Sequence, residues 1–171
     1  PFSVSTEAIA NRALKNAALA YLTWAGDPEG QDLARTQLAA ADNMTDGLAA
    51  LRQIVETGMP ERDEALTAFH DRWRDEALVL NKWFALQAAI EDEEAPERIA
   101  ALMSHPSFIA TNPNRVRAVL GTFAAQNLTG FHRKDGAGYR LLVDRCLQID
   151  PRNPQLAARL LGPLGRWRRF D

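Results

Sequence analysis

The sequence predicts an all-α protein, a superhelical stack of antiparallel helix pairs. Three observations predict it. Apolar residues recur at i, i+3 and i+4 through most of the 171 residues, the spacing of one helical face. No run alternates with period two for long enough to make a strand. Cap and start signals recur so closely that the helices must be joined by turns of about two to six residues. Helix pairs then repeat every 30–40 residues or so, the period of α-solenoids of the ARM and TPR kind. No sequence match between units is visible, so the repeat is architectural.

Each element follows from its residues. Ser5 or Thr6 caps a first helix whose stripe is Ile9, Ala10, Ala13, Leu14, Ala17, Ala18, Tyr21 and Leu22; Gly26 stops it. Asp27-Pro28 opens a second helix with Leu33, Ala34, Gln37, Leu38 and Ala41. Asn43-Met44-Thr45-Asp46 caps a third, carrying Leu48, Leu51, Ile54 and Val55, closed by Gly58. Pro60 through Asp63 start a fourth, with acid in the first turn where the helix dipole favours it; Leu66, Phe69, His70, Trp73 and Ala77 form its inner stripe.

Residues 78–90 are apolar almost all round, which predicts a helix packed on several sides. The acidic link Glu91 to Glu94 precedes a helix from Pro96 that ends at His105-Pro106. Asn112-Pro113-Asn114 starts the seventh helix, with Val116, Val119, Leu120, Phe123 and Ala124 inward. Arg115 and Arg117 lie about 200° apart around it, so one can be solvated while the other points into the packing. Asp135-Gly136-Ala137-Gly138 supplies a sharp turn before Tyr139, Leu142, Val143, Cys146 and Ile149. A ninth helix carries Leu156, Ala157, Leu160 and Leu161, and Leu164, Trp167 and Phe170 make a last short turn.

Composition bounds the function. Charged residues are 25% and the net charge is −2, so no bulk field draws nucleic acid or an anionic membrane. The single cysteine, Cys146, permits no internal disulfide and fits a reducing, cytoplasmic compartment. No apolar run approaches the ~18–20 residues that span a bilayer, and no secretory signal is visible. The chain opens Pro1-Phe2, which reads as a piece of a longer polypeptide.

Catalytic signals are sparse. His70, His105 and His132 precede Asp71, Pro106 and Arg133, and none has metal-ligand spacing. His70 reads as a packed or surface helix residue, His105 as a helix-end residue meeting carbonyls, and His132 as a loop residue with some prospect of a site role. Cys146 on an apolar face reads as a buried thiol. Arg166 to Phe170 interleave base and aromatic, yet Trp167 and Phe170 fall on one helical face, which leaves an ordinary stripe with exposed arginines. Gln155 and Arg159, four apart, share a face. Two readings stay open for them: an ordinary surface pair, or a pair that holds a peptide carbonyl and a carboxylate.

Longer stretches carry a resemblance. Asn112-Pro113-Asn114-Arg115-Val116-Arg117, Phe131-His132, Lys134 through Tyr139 and Asn153 through Leu160 resemble the C-terminal helical domain of the bacterial aminopeptidase N family, zinc alanyl aminopeptidases of the gluzincin class. Leu80 through Ala88, Asn43 through Asp46 and Arg12 through Asn16 support it. Asn81 and Ala137 depart from the Asp and Ser expected there, and the family's chain continues past the position of Asp171. The resemblance implies that residues 1–171 are one C-terminal domain of a larger zinc aminopeptidase. The zinc and catalytic Glu would lie in an earlier, thermolysin-like domain, over which this one closes as a bowl. It implies that Gln155, Arg159 and Arg117 face the substrate, with no catalytic residue and no zinc ligand in this chain. Partners would be the other domains of the same polypeptide and peptide substrates, with no nucleic acid or membrane. The alternative is a stand-alone helical-repeat scaffold that grips a partner peptide or helix.

Overall fold

A computed structural model describes residues 2–170. All regular structure among them is helical, and the chain forms two compact units, Pro1–Arg72 and Trp73–Asp171.

The first unit begins with α1 (Thr6–Trp24), α2 (Pro28–Ala40) and α3 (Met44–Glu56), which pack on one another. Helices packed side by side across links as short as 25–27 and 41–43 run antiparallel. Their starts are capped as the sequence indicates. Ser5 accepts from the Ala8 amide at 3.2 Å, Asp27 from Glu29 at 2.9 Å, and Asn43 from Asp46 at 3.0 Å. Gly30 permits the close approach of α2 to α1, since a Cβ there would sit 2.7 Å from Leu22 Cβ. Leu19, Ala34, Ala50, Ile54 and Met59 form the core, with Leu38 and Ala65 against it. Ala65 belongs to α4 (Arg62–Trp73).

Asp46 ties the unit together. It accepts from Lys15 Nζ at 2.5 Å, Asn16 Nδ2 at 2.9 Å and Asn43 Nδ2 at 3.1 Å. Burial alone would raise its pKa, but these donors hold the carboxyl below its ordinary value.

The expected inner stripe of α1 is not buried. Ile9, Leu14 and Tyr21 are 54%, 72% and 81% exposed, and Ala10, Ala13, Ala17, Ala18 and Leu22 are exposed with them. The buried line runs instead through Leu19 and Thr23. Thr23 can turn inward because its hydroxyl is satisfied there, by the Leu19 carbonyl and by Gln53 Oε1, each at 2.9 Å. Helical spacing reveals an apolar face, not what covers it.

The second unit contains α5 (Ala77–Ala88), α6 (Ala95–Ser104), α7 (Pro113–Val116), a π-turn (Arg117–Gly121), α8 (Thr122–Gln126), α9 (Leu128–Phe131), α10 (Ala137–Ile149), α11 (Pro154–Leu160) and a 3-10 helix (Gly162–Arg169). Ala77 therefore opens α5 rather than closing α4. Leu80, Trp83, Phe84, Leu86 and Ala88 of α5 are buried, while Leu78 is exposed. The single seventh helix expected from Asn112 is continuous helical backbone through α7, the π-turn and α8, and its five inward residues are all buried. Phe123 and Phe131 meet edge to face at 5.4 Å between centroids.

The short helix α9 was not legible in the sequence. Asn127 caps it, accepting from Gly130 N at 2.9 Å and donating to the Ala88 and Ile90 carbonyls. Its backbone lies so close to α6 and α10 that only glycine fits at two positions. A Cβ on Gly130 would meet Ala95 Cβ at 2.3 Å, and one on Gly138 would meet the Phe131 carbonyl oxygen at 2.4 Å.

Candidate functional site

Asn153 fixes the start of α11 by accepting from Leu156 N at 3.0 Å, and Pro154 occupies the first turn. Leu156, Ala157 and Leu160 are buried. The rest of that short helix faces solvent, which leaves Gln155 and Arg159 exposed. The π-turn packs against α11. A Cβ placed on Gly121 would lie 3.7 Å from Leu160 Cδ2 and 3.7 Å from Arg117 Cβ. Arg117, exposed, is thus carried on the neighbouring element, where its guanidinium donates to Asn114 Oδ1. No ion pair engages Arg117 or Arg159 among the described residues. The structure brings the three residues to two adjoining elements and leaves both cations without a carboxylate.

Arg115 takes the inward place. It is 1% exposed, and Nε donates to Asn81 Oδ1 at 2.7 Å, Nη1 to the Ser107 carbonyl at 2.6 Å and Nη2 to the Ala77 carbonyl at 3.3 Å. The guanidinium lies over Phe84, 4.8 Å from the ring centroid. Burial pushes its pKa down, yet an arginine remains charged. Arg115 joins α5, α7 and the loop before α7, and so sets the position from which Arg117 projects.

The polar loop after α9 is tied mostly to itself. Arg133 clasps Asp135 at 2.9 and 2.6 Å and donates to the Glu93 carbonyl at 2.7 Å. Asp135 caps Ala137 N at 3.0 Å, and its pairing with Arg133 holds its carboxyl well below the usual range. Gly136, at φ 73°, supplies the left-handed turn. His132 Nδ1 lies 2.6 Å from the Tyr139 hydroxyl, and its ring stacks on Phe170 at 3.5 Å. Phe170 packs on the His132 ring, while Trp167 stays exposed.

Burial first, then the nearby Arg166 charge, lowers the His132 pKa. A lowered pKa favours the neutral ring in the folded state. Its contribution is complete above the ordinary histidine value near 6.5 and is lost as pH falls through the folded pKa. An NMR titration is expected to show His132 titrating below a free histidine, with the Phe170 ring resonances moving at the same midpoint. An ordinary or raised value contradicts the stacked arrangement.

His105 Nδ1 accepts from Ser107 N at 3.1 Å, and its ring packs on Trp83 and Phe84. Cys146 is buried, and burial raises its thiol pKa. Among the described residues no group of three or more His, Cys, Asp or Glu side chains could hold a metal ion. No described helix is long and apolar enough to cross a membrane. One feature escaped the sequence reading, a cavity under Arg145 and Arg152. The spacing of Arg145, Gln148 and Ile149 on α10 does place those three on one face.

Residues 1–171 match the family described as a domain of unknown function (DUF3458_C) with ARM repeats, and the chain belongs to that family. The all-helical fold agrees with the repeat class. Among curated proteins, the chain is 47% identical over 171 residues to the aminopeptidase N of Caulobacter vibrioides, covering 99% of this chain and 20% of that one. It is 41% identical over 170 residues to the aminopeptidase N of Escherichia coli, covering 99% and 20%. Among solved structures, it is similar to the crystal structure of Legionella pneumophila aminopeptidase A in complex with aspartic acid, with a TM-score of 0.85 and 34% identity. That likeness covers 94% of this chain and 19% of the other. The chain spans about one fifth of the length of these relatives and corresponds to the C-terminal part of an aminopeptidase N.

Proposed function

We propose that residues 1–171 are the single C-terminal domain of a cytoplasmic zinc aminopeptidase that removes N-terminal residues from peptides. In this reading the zinc and the reacting groups belong to another part of the polypeptide. This domain covers them and lines the far side of the substrate chamber. Closure of such a cover keeps bulk water out and limits which peptides fit.

The observation that carries the reading is the exposed set Gln155, Arg159 and Arg117 on two packed elements, with both cations lacking a carboxylate partner. An aminopeptidase holds its substrate's amine at the reacting end, so the carboxyl end points away. Guanidinium groups on the cover attract that end and an amide side chain can bond a peptide carbonyl. The aminopeptidase names of the relatives support the same reading.

The test compares the complete polypeptide with the 171-residue chain on peptides with a free or an acetylated amine. The complete polypeptide is expected to cleave only the free-amine peptide and to lose that activity to a chelator, while the isolated chain shows none. Turnover of the acetylated peptide, or metal-dependent turnover by the isolated chain, contradicts the reading.

A further inference from the structure

The second unit holds a cavity of about 530 Å³ beneath the turn after α10. Met103, Phe108, Val116 and Leu156 supply an apolar floor, and Arg145, Gln148, Arg152 and Asn153 stand among its polar lining. No Asp or Glu lines it, and no ion pair engages Arg145 or Arg152 among the described residues.

The arginine and amide side chains of the lining have donors to spare. Arg145 uses one N–H on Gln148 Oε1 at 3.0 Å, and Asn153 uses its oxygen to cap Leu156. Each amide oxygen already accepts one hydrogen bond, while the NH2 groups of Gln148 and Asn153 have no acceptor among the described residues. Two guanidiniums and two amide NH2 groups offer only donors. A complementary ligand brings acceptors: a carboxylate for the arginines, which bind it through paired hydrogen bonds, and carbonyls for the amides. The floor asks for an apolar side chain beside them.

The geometry points to a binding site for the C-terminal end of a peptide, its carboxylate on Arg145 and Arg152 and its apolar last side chain on the floor. Leu156 is buried and lines the cavity, whereas Gln155 and Arg159 are exposed and take no part in its lining. The site does not depend on the aminopeptidase reading.

The experiment is calorimetric titration of the complete polypeptide with acetyl-Ala-Ala-Phe as the free acid and as the C-terminal amide. Acetylation removes the amine that an aminopeptidase needs, so failure here leaves the proposed function standing. The acid is expected to bind about tenfold or more tightly than the amide, the usual scale for losing hydrogen bonds to a charged group. The double substitution Arg145→Gln with Arg152→Gln brings the acid to the level of the amide, and Arg152→Glu alone weakens it. The inference is overturned by equal binding of acid and amide, by absence of heat at millimolar acid, or by a double variant that binds as the parent does. It is overturned equally by inorganic phosphate binding as well as the peptide acid, which would mark a plain anion patch.

Discussion

Arg115→Ala is expected to destabilise the second unit by about 3–5 kcal/mol, since each buried acceptor left without its donor costs about 1–3 kcal/mol. The change removes the donors of three acceptors at once: Asn81 Oδ1, the Ser107 carbonyl and the Ala77 carbonyl. It also empties the space over Phe84. Arg115→Lys does not repair it, since one ammonium cannot reach three acceptors spread around a planar fork. In the parent chain the buried guanidinium meets only neutral acceptors. Asn81→Asp is therefore expected to stabilise by about 1 kcal/mol, because the acceptor of the Nε hydrogen bond at 2.7 Å becomes a carboxylate that pairs the guanidinium. Urea unfolding of each variant measures both. A loss under 1 kcal/mol for Arg115→Ala, or destabilisation by Asn81→Asp, contradicts the assigned role.

The same pair of arginines shows what the sequence could disclose. Their spacing required opposite directions, and Asn112-Pro113 required a helix start just before them. The structure has both, with Asn112 accepting from Asn114 N at 2.9 Å. Caps and starts were legible because they depend on neighbours in sequence. Burial was legible where a helix is enclosed on the side its stripe indicates, as at Val116, Val119, Leu120, Phe123 and Ala124. It failed at α1, where Ile9, Leu14 and Tyr21 are exposed, because a stripe does not name its cover. The inner α9 was hidden because one buried asparagine, Asn127, and two glycines shape it through contacts distant in sequence. Gln155 and Arg159 could be placed on one face from their spacing. That Arg117 adjoins them follows only from the packing of α11 on the π-turn, around Gly121 and Leu160.

The second large effect concerns substrate. In the complete polypeptide, Arg159→Ala is expected to raise KM for dipeptides and tripeptides about tenfold or more, with single-residue amide reporters within about twofold of the parent. One charge-assisted hydrogen bond to a carboxylate accounts for that size. Short peptides place their carboxylate near the cover, whereas a neutral reporter has none to place. Arg159→Lys should restore part of the loss, because the charge returns without the planar fork. Equal loss on peptides and reporters would mean that Arg159 supports the domain's structure rather than substrate. Unfolding midpoints should not move, since Arg159 is exposed and engages no acid.

The most direct measurement is a crystal structure of the complete polypeptide with a short, slowly cleaved peptide bound. The account predicts Gln155, Arg159 and Arg117 on the wall facing that peptide, with the Arg159 guanidinium in hydrogen-bonding distance of its terminal carboxylate. A peptide bound with these three side chains on the opposite, outer surface would contradict it.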